Sequence, residues 1–247
     1  MVDILGKMKQ MDQMKALMGE MYERNIVSLT TVGKAMRRLS GAGQWKEAVK
    51  LFDKLKIFGL DKNIESMNLL LDTLCKGRKV IQARAIFLDL KDHITPDART
   101  FNILIHGWCK VNRIEEAEWT LQEMKGYGWN PCGFSYSTII LQHCRSNNFV
   151  RAFELLDLME TRECPVDVIT YTTIMSSLTK FSELDQALQL AERTKKSGCK
   201  LGTHLQLLDP YLGKARSSFF TSFKLKCFLY KFLLDLSYLV SCRAAKR

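Results

Sequence analysis

Apolar residues recur along this chain with the spacing of an α-helix, in segments of similar length divided by short polar turns. In residues 98–132, Phe101, Leu104, Ile105 and Trp108 fall at i, i+3, i+4 and i+7, which is one face of a first helix. Ile114, Ala117, Leu121 and Met124 mark a second. Between them "KVNR" is a polar turn, and "GYGWNPC" closes the segment with glycines and a proline that stop the helix. The pattern predicts a helix–turn–helix hairpin, and very little of the chain alternates as a strand would.

The hairpin is stated several times. "TFNILIHGWCKVNRIEEA" (100–117) overlays "SMNLLLDTLCKGRKVIQA" (66–83), 34 positions earlier. "SYSTIILQHCRSNNFVRA" (135–152) and "TYTTIMSSLTKFSELDQA" (170–187) share the outline, and "TVGKAMRRLSGAGQWKEA" (31–48) is a weaker copy. The closing alanines, Ala48, Ala83, Ala117, Ala152 and Ala187, are spaced 35, 34, 35 and 35 apart. A fixed period of this length marks a solenoid, whose units cannot bury their apolar faces alone and so stack on one another. The expected fold is all-α, a right-handed α-solenoid of stacked helix–turn–helix hairpins. The expected units are 29–63, 64–97, 98–132, 133–167 and 168–202, followed by a non-repeat basic and apolar tail, 203–247. Residues 1–28 match a unit lacking its first six positions, so the chain reads as truncated, beginning inside a repeat with no transit peptide in view.

Composition narrows the function. A net charge of +11 favours a polyanionic partner, although the tail holds eight Lys/Arg against two Asp and leaves +5 for residues 1–202. Of eight cysteines, Cys75, Cys109 and Cys144 occupy one place in successive units and read as small buried side chains in a reducing compartment. The apolar stretch 219–242 is interrupted by Lys224, Lys226, Lys231 and Asp235, which argues against a membrane span and for a capping helix or foreign reading frame.

Units of 34 and 35 residues such as "FNILIHGWCKVNRIEEAEWTLQEMKGYGWNP" and "TYTTIMSSLTKFSELDQALQLAERTKKSG" resemble the pentatricopeptide repeat proteins, and their uniform length resembles the pure class of plant organellar type. The resemblance covers about residues 1–202. It implies binding of single-stranded RNA at one base per repeat, read by two or three side chains. In the family, the fifth and last residues of a unit read the base. Carried over, the pairs are Gly33 with Asn63, Asn68 with Asp97, Asn102 with Cys132, Ser137 with Asp167, and Thr172 with Gly202. For the last four units they imply uracil, a pyrimidine, guanine and a purine, 5′ to 3′. Asn offers a donor and an acceptor and ionised Asp only acceptors, which suits discrimination of base edges. Asp97 and Asp167 equally suit helix N-caps, and the two roles are compatible.

The resemblance also implies that the second residue of each unit packs against bases. Phe134, Ile169 and Arg99 suit this role, whereas Thr30 and Glu65 stand there in the first two full units. At the thirteenth place stand Lys7, Lys76, Lys110, Arg145 and Lys180, with Gly41 the exception. Cations recurring at one place form a row suited to phosphates; the competing reading is charge complementing helix C-termini. Five phosphate contacts give a salt slope near about −3.5, by about −0.7 each.

Other signals carry less. "GAGQWK" (41–46) lacks the phosphate-loop pattern. His106, Cys109, His143 and Cys144 match no compact zinc spacing, and no His-x-Glu with Cys-x-x-C supports a deaminase. No catalytic residues, metal or cofactor are expected. The family implies a monomeric adaptor in RNA stability, processing, splicing or translation, with RNA-processing factors as further partners, in the mitochondrion or, alternatively, the chloroplast. Two other readings stay open: a tetratricopeptide-like protein-binding scaffold, and a non-functional fragment of a longer repeat protein. Against the scaffold, bulky Leu55, Leu90, Met124 and Met159 stand where it usually has a small residue near the end of the second helix, Thr194 holds that place in the last unit, and the period is mostly 35.

Overall fold

The computed structural model describes residues 1–196 except 163, 165 and 182. They form helices α1 (Val2–Lys7), α2 (Met11–Glu23), α3 (Leu29–Gly41), α4 (Trp45–Asp53), α5 (Ile64–Lys76), α6 (Val80–Leu90), α7 (Ala98–Lys110), α8 (Ile114–Gly126), α9 (Gly133–Arg145), α10 (Phe149–Thr161), α11 (Val168–Lys180) and α12 (Leu184–Lys196). A 3₁₀ turn, Lys54–Lys56, extends α4. Two compact units divide the chain, Met1–Ile174 and Met175–Arg247.

In the first unit, α3 pairs with α4, α5 with α6, α7 with α8 and α9 with α10, each as an antiparallel hairpin. The first helices stack in chain order, α1 on α3, α3 on α5, α5 on α7 and α7 on α9, so the hairpins build an all-α solenoid. The closing alanines Ala48, Ala83, Ala117 and Ala152 are buried, as are Phe52, Phe87, Leu121 and Leu156 one turn later. A small side chain there lets the second helix approach its neighbours, and the bulky one fills the space beside it. The core continues through Leu70, Leu71, Leu74, Phe101, Leu104, Ile105, Tyr136, Ile139 and Ile140. In the second unit, Met175, Leu178, Ala187, Leu190 and Ala191 are buried.

The five turns from first to second helix between α1 and α10 are built alike. Lys9, Gly43, Arg78, Asn112 and Asn147 hold positive φ at one recurring place. The amide after each donates back to the helix it leaves: Gln10 to Leu5, Gln44 to Leu39, Lys79 to Leu74, Arg113 to Trp108 and Asn148 to His143. This Schellman closure satisfies carbonyls that a helix end would otherwise orphan. Only Gly43 reaches the left-handed region without strain; the others are Lys, Arg and two Asn, of which Asn tolerates it best.

Close helix approach explains two glycines. A Cβ on Gly107 of α7 would lie 2.5 Å from Cys75 Sγ on α5, and one on Gly33 of α3 would lie 2.6 Å from Leu69 Cδ2 on α5. Cys75, Cys109 and Cys144 are buried where successive first helices meet, and burial pushes each thiol up to about 12. They are neutral packing groups.

Candidate nucleic-acid interface

The last residues of three expected units cap the first helix of the next with their side chains. Asn63 accepts from the Ser66 amide at 3.0 Å, Asp97 from Thr100 at 2.7 Å and Asp167 from Thr170 at 2.7 Å. At Cys132 the backbone amide donates to Ser135 Oγ at 3.3 Å, as the Asn63 and Asp97 amides do to Ser66 and Thr100 at 2.9 and 3.2 Å. The acceptor caps satisfy amides at the start of α5, α7 and α11.

These caps are tied to the fifth residue of their own unit through a hydroxyl at the third place of the following unit. Thr100 Oγ1 donates to Asn68 Oδ1 at 2.7 Å, and Asn68 Nδ2 donates to Asp97 Oδ1 at 3.1 Å. Ser135 Oγ donates to Asn102 Oδ1 at 2.6 Å, and Asn102 Nδ2 lies 3.9 Å from Cys132 Sγ. Ser137 Oγ and Thr170 Oγ1 are 2.7 Å apart, and Thr170 Oγ1 donates to Asp167 Oδ1 at 2.5 Å. Fifth and last residues therefore sit side by side in three successive units. Sequence reasoning missed the linking hydroxyls, although Thr31, Ser66, Thr100, Ser135 and Thr170 repeat the signal at every third place.

The pairs differ in what they present. Asn68 is only 2 % exposed, while Asn102 and Ser137 are half-buried. Burial raises the Asp97 carboxyl, but the Thr100 amide, Asn68 and the Thr100 hydroxyl outweigh it and hold the carboxyl below its usual range. At Cys132 burial likewise raises the thiol, and bonds from Ser135, the Phe134 amide and Asn102 bring the net shift below the ordinary thiol value. Gly33 is buried against Leu69, and Asn63 beside it serves as a cap. Thr172 Oγ1 donates to its own helix, with Val168 O at 2.8 Å and Ile169 O at 3.0 Å. Gly202 lies outside the described residues.

A groove of about 460 Å³ runs across α5, α7 and α9, lined by Asp72, Lys76, Arg99, Asn102, Ile103, His106 and Phe134. It gathers residues of each expected kind: Asn102 from the reading pair, Arg99 and Phe134 from the second places of adjacent units, and Lys76 from the recurring cations. Phe134 is 58 % exposed and Ile169 72 %, unusual for large apolar side chains on a packed helix. Asp72 and Ile103 were not singled out by the sequence, and His106 was weighed there only as a zinc ligand. Burial, with Lys110 second, lowers the His106 pKa.

The recurring cations are exposed, and three of them are engaged. Lys76 pairs with Asp72 at 2.7 Å and Lys7 with Asp3 at 3.4 Å, both one helical turn apart. Lys110 donates to the main-chain carbonyl of Lys76 at 2.7 Å, at the C-terminus of α5. The helix-end reading thus describes Lys110 in the free protein. Arg145 and Lys180 are exposed at the ends of α9 and α11. Among the described residues no helix is long and apolar enough to cross a membrane, and the tail 203–247 lies outside them.

Stacked hairpins with capped, paired residues along one layer of first helices define an α-helical repeat protein. PPR repeat models match residues 35–60, 92–125, 131–180 and 169–199, which together span more than half of the sequence. The chain belongs to the pentatricopeptide repeat family. It is 58 % identical over 154 residues to the mitochondrial pentatricopeptide repeat-containing protein At3g04130 of Arabidopsis thaliana, covering 62 % of this chain and 30 % of that protein. It is 43 % identical over 129 residues to the mitochondrial protein At3g22670 of the same plant, covering 51 % of this chain and 23 % of that one. The chain thus spans less than a third of either relative. Among solved structures, pentatricopeptide repeat protein PPR10 from maize matches with a TM-score of 0.65 at 23 % identity, over 84 % of this chain and 29 % of that one. The same maize protein in complex with an 18-nucleotide RNA element matches at a TM-score of 0.62 and 24 % identity, over 76 % of this chain and 28 % of that one.

Proposed function

We propose that this chain is a sequence-selective adaptor for single-stranded RNA, reading one base per repeat in a mitochondrion. The groove between α5, α7 and α9 carries the proposal. A base placed over Asn102 would be held between the Arg99 guanidinium and the Phe134 ring, a stacking arrangement that tolerates any base face. Asn102 and Cys132 would then select its edge, and Lys76 would take the phosphate. The same roles extend to Asn68 with Asp97, Ser137 with Asp167, and Thr172, with Ile169 stacking and Lys7, Lys110, Arg145 and Lys180 along the backbone. Gly33, lacking a side chain, leaves Asn63 as the sole candidate reader of its unit. The RNA-bound maize neighbour and the mitochondrial labels of the two relatives support this reading. The downstream roles are RNA stability, processing, splicing or translation, with the protein acting by occupying the strand.

Selection from a randomised single-stranded RNA pool tests it. The expected result is enrichment of a core of uracil, pyrimidine, guanine and purine. Folded protein that enriches nothing overturns the proposal.

A further inference from the structure

Charge is segregated between the first and second helices of two hairpins, α7–α8 and α9–α10, whereas α5 carries Glu65 and Asp72 against Lys76 and α4 is balanced. The first helices α7 and α9 carry Arg99, Lys110 and Arg145 and no acidic residue. The second helices α8 and α10 carry Glu115, Glu116, Glu118, Glu123, Glu154, Asp157 and Glu160 against only Lys125 and Arg151. In a chain of net charge +11 this acidic layer is a local feature with its own cause.

The same layer exposes large apolar side chains. Trp119 of α8 is 58 % exposed, Val150 of α10 73 % and Ile81 of α6 55 %. Trp119 is fixed in place: the Arg84 guanidinium stacks on its ring at 4.7 Å and is itself clamped by Glu123 at 2.7 and 2.9 Å. Glu118 holds Arg151 at 2.7 and 3.0 Å and His143 at 2.7 Å, so ion pairs join α6 to α8 and α8 to α10. The layer is therefore a braced platform whose outward apolar groups have lost little freedom to ordering.

We infer that the outer layer of α6, α8 and α10 docks a basic amphipathic segment of a protein partner, with Trp119 as the central anchor. Charge complementarity chooses the occupant. Glu116, Glu118, Glu123 and Glu154 are paired with Arg113, Arg151 and Arg84, yet the acids of α8 and α10 still outnumber the bases around them, which disfavours RNA and anionic lipid, and the exposed Trp119, Val150 and Ile81 ask for apolar side chains between the cations. An exposed tryptophan held rigid by a stacked arginine has the character of a binding hot spot. This inference is independent of the RNA reading, which concerns the first-helix layer.

The probe is a short fluorescein-labelled helical peptide built only of leucine and lysine, titrated with the full chain, alongside the same peptide with glutamate for lysine. The overall positive charge of the protein works against non-specific capture of the cationic probe. The expected result is binding of the Leu/Lys peptide and none of the Leu/Glu peptide. Trp119→Ala should weaken it about tenfold, and the pair Glu115→Lys with Glu154→Lys should weaken it by at least as much. Circular dichroism confirms that each variant is folded, and the exposed charge reversals keep the test open if Trp119→Ala is not. Absence of binding to the wild-type chain, equal binding of both peptides, or affinity unchanged in both variants overturns the inference.

Discussion

The Thr100 hydroxyl lies 2.7 Å from Asn68 Oδ1, bridging α7 to the fifth residue of the preceding unit. Three contacts to the Asp97 carboxylate fall on one oxygen: Oδ1 accepts from the Thr100 amide at 2.7 Å and from Asn68 Nδ2 at 3.1 Å, and the Thr100 hydroxyl oxygen, whose proton goes to Asn68, lies 2.9 Å away. Oδ1 fixes the helix start and orients Asn68; in the proposed reading Oδ2 would be the acceptor for a base.

Thr100→Val removes the hydroxyl and leaves the carboxamide oxygen of Asn68 without its partner in a buried setting. The expected cost is about 1–3 kcal/mol, read as a lower denaturant midpoint with unchanged slope. Thr100→Ser keeps the hydroxyl and should stay close to wild type. Equal midpoints for Val and wild type would show that the bond adds nothing to stability.

Much of this was legible in the sequence. The recurring alanines and the 3.6-residue apolar period predict the hairpins because close packing needs a small residue at one place in every unit. The pairing of Asn68 with Asp97 was implied by the family resemblance, and the structure brings the two within hydrogen-bond reach. What pattern could not supply is three-dimensional adjacency. Asp72 beside Lys76 looks like an ordinary surface pair, and the layer of acids on α8 and α10 emerges only when alternate helices are seen to share one side. The burial of Asn68 was equally hidden, because its closure comes from Thr100, 32 residues away.

Phe134→Ala separates binding from folding. The ring is largely exposed on α9, so thermal stability should change by less than about 0.5 kcal/mol. Loss of one stacking surface should weaken single-stranded RNA by about 1–3 kcal/mol, read by fluorescence anisotropy. Wild-type RNA affinity in this variant would remove Phe134 from the interface.

Gly33→Ala tests the close approach of α3 and α5. The added Cβ meets two methyl carbons of Leu69, at 2.6 and 2.9 Å, and the Leu69 side chain must shift. A loss of about 1–3 kcal/mol is expected despite the better helix propensity of alanine. Leu69→Ala in the same chain should recover part of it. A stabilised Gly33→Ala protein would show that the helices separate freely.

Stability should fall in acid for a local reason. Arg151 foremost, then the His143 bond, holds the Glu118 carboxyl below its ordinary value of 4.5 against the opposing effect of burial. A lowered folded pKa means that the unfolded chain binds the proton more readily, so this contribution is complete above 4.5 and is lost as pH falls through the lowered folded value. Asp97 behaves the same way below 3.8, where its protonation loosens the start of α7. Glu118→Gln should flatten the acid limb of a stability–pH profile, and an unchanged limb would assign the acid sensitivity to other groups.

The salt dependence of RNA binding discriminates between a row of cations and a row of ion pairs. Five independent contacts predict a slope of about −3.5 in log affinity against log salt. Lys7 and Lys76, however, already carry Asp3 and Asp72 as internal counterions, so a phosphate arriving there meets a nearly neutral pair. Counting only Lys110, Arg145 and Lys180 lowers the expected slope to about −2.1. Asp72→Asn should free Lys76, steepen the slope by about 0.7 and tighten binding at low salt, because it removes a negative charge from the groove proposed to receive the strand. Lys110→Ala should do the opposite, flattening the slope by the same step. A wild-type slope already at −3.5, insensitive to Asp72→Asn, would mean that RNA displaces both aspartates completely and that the ion pairs have no bearing on recognition.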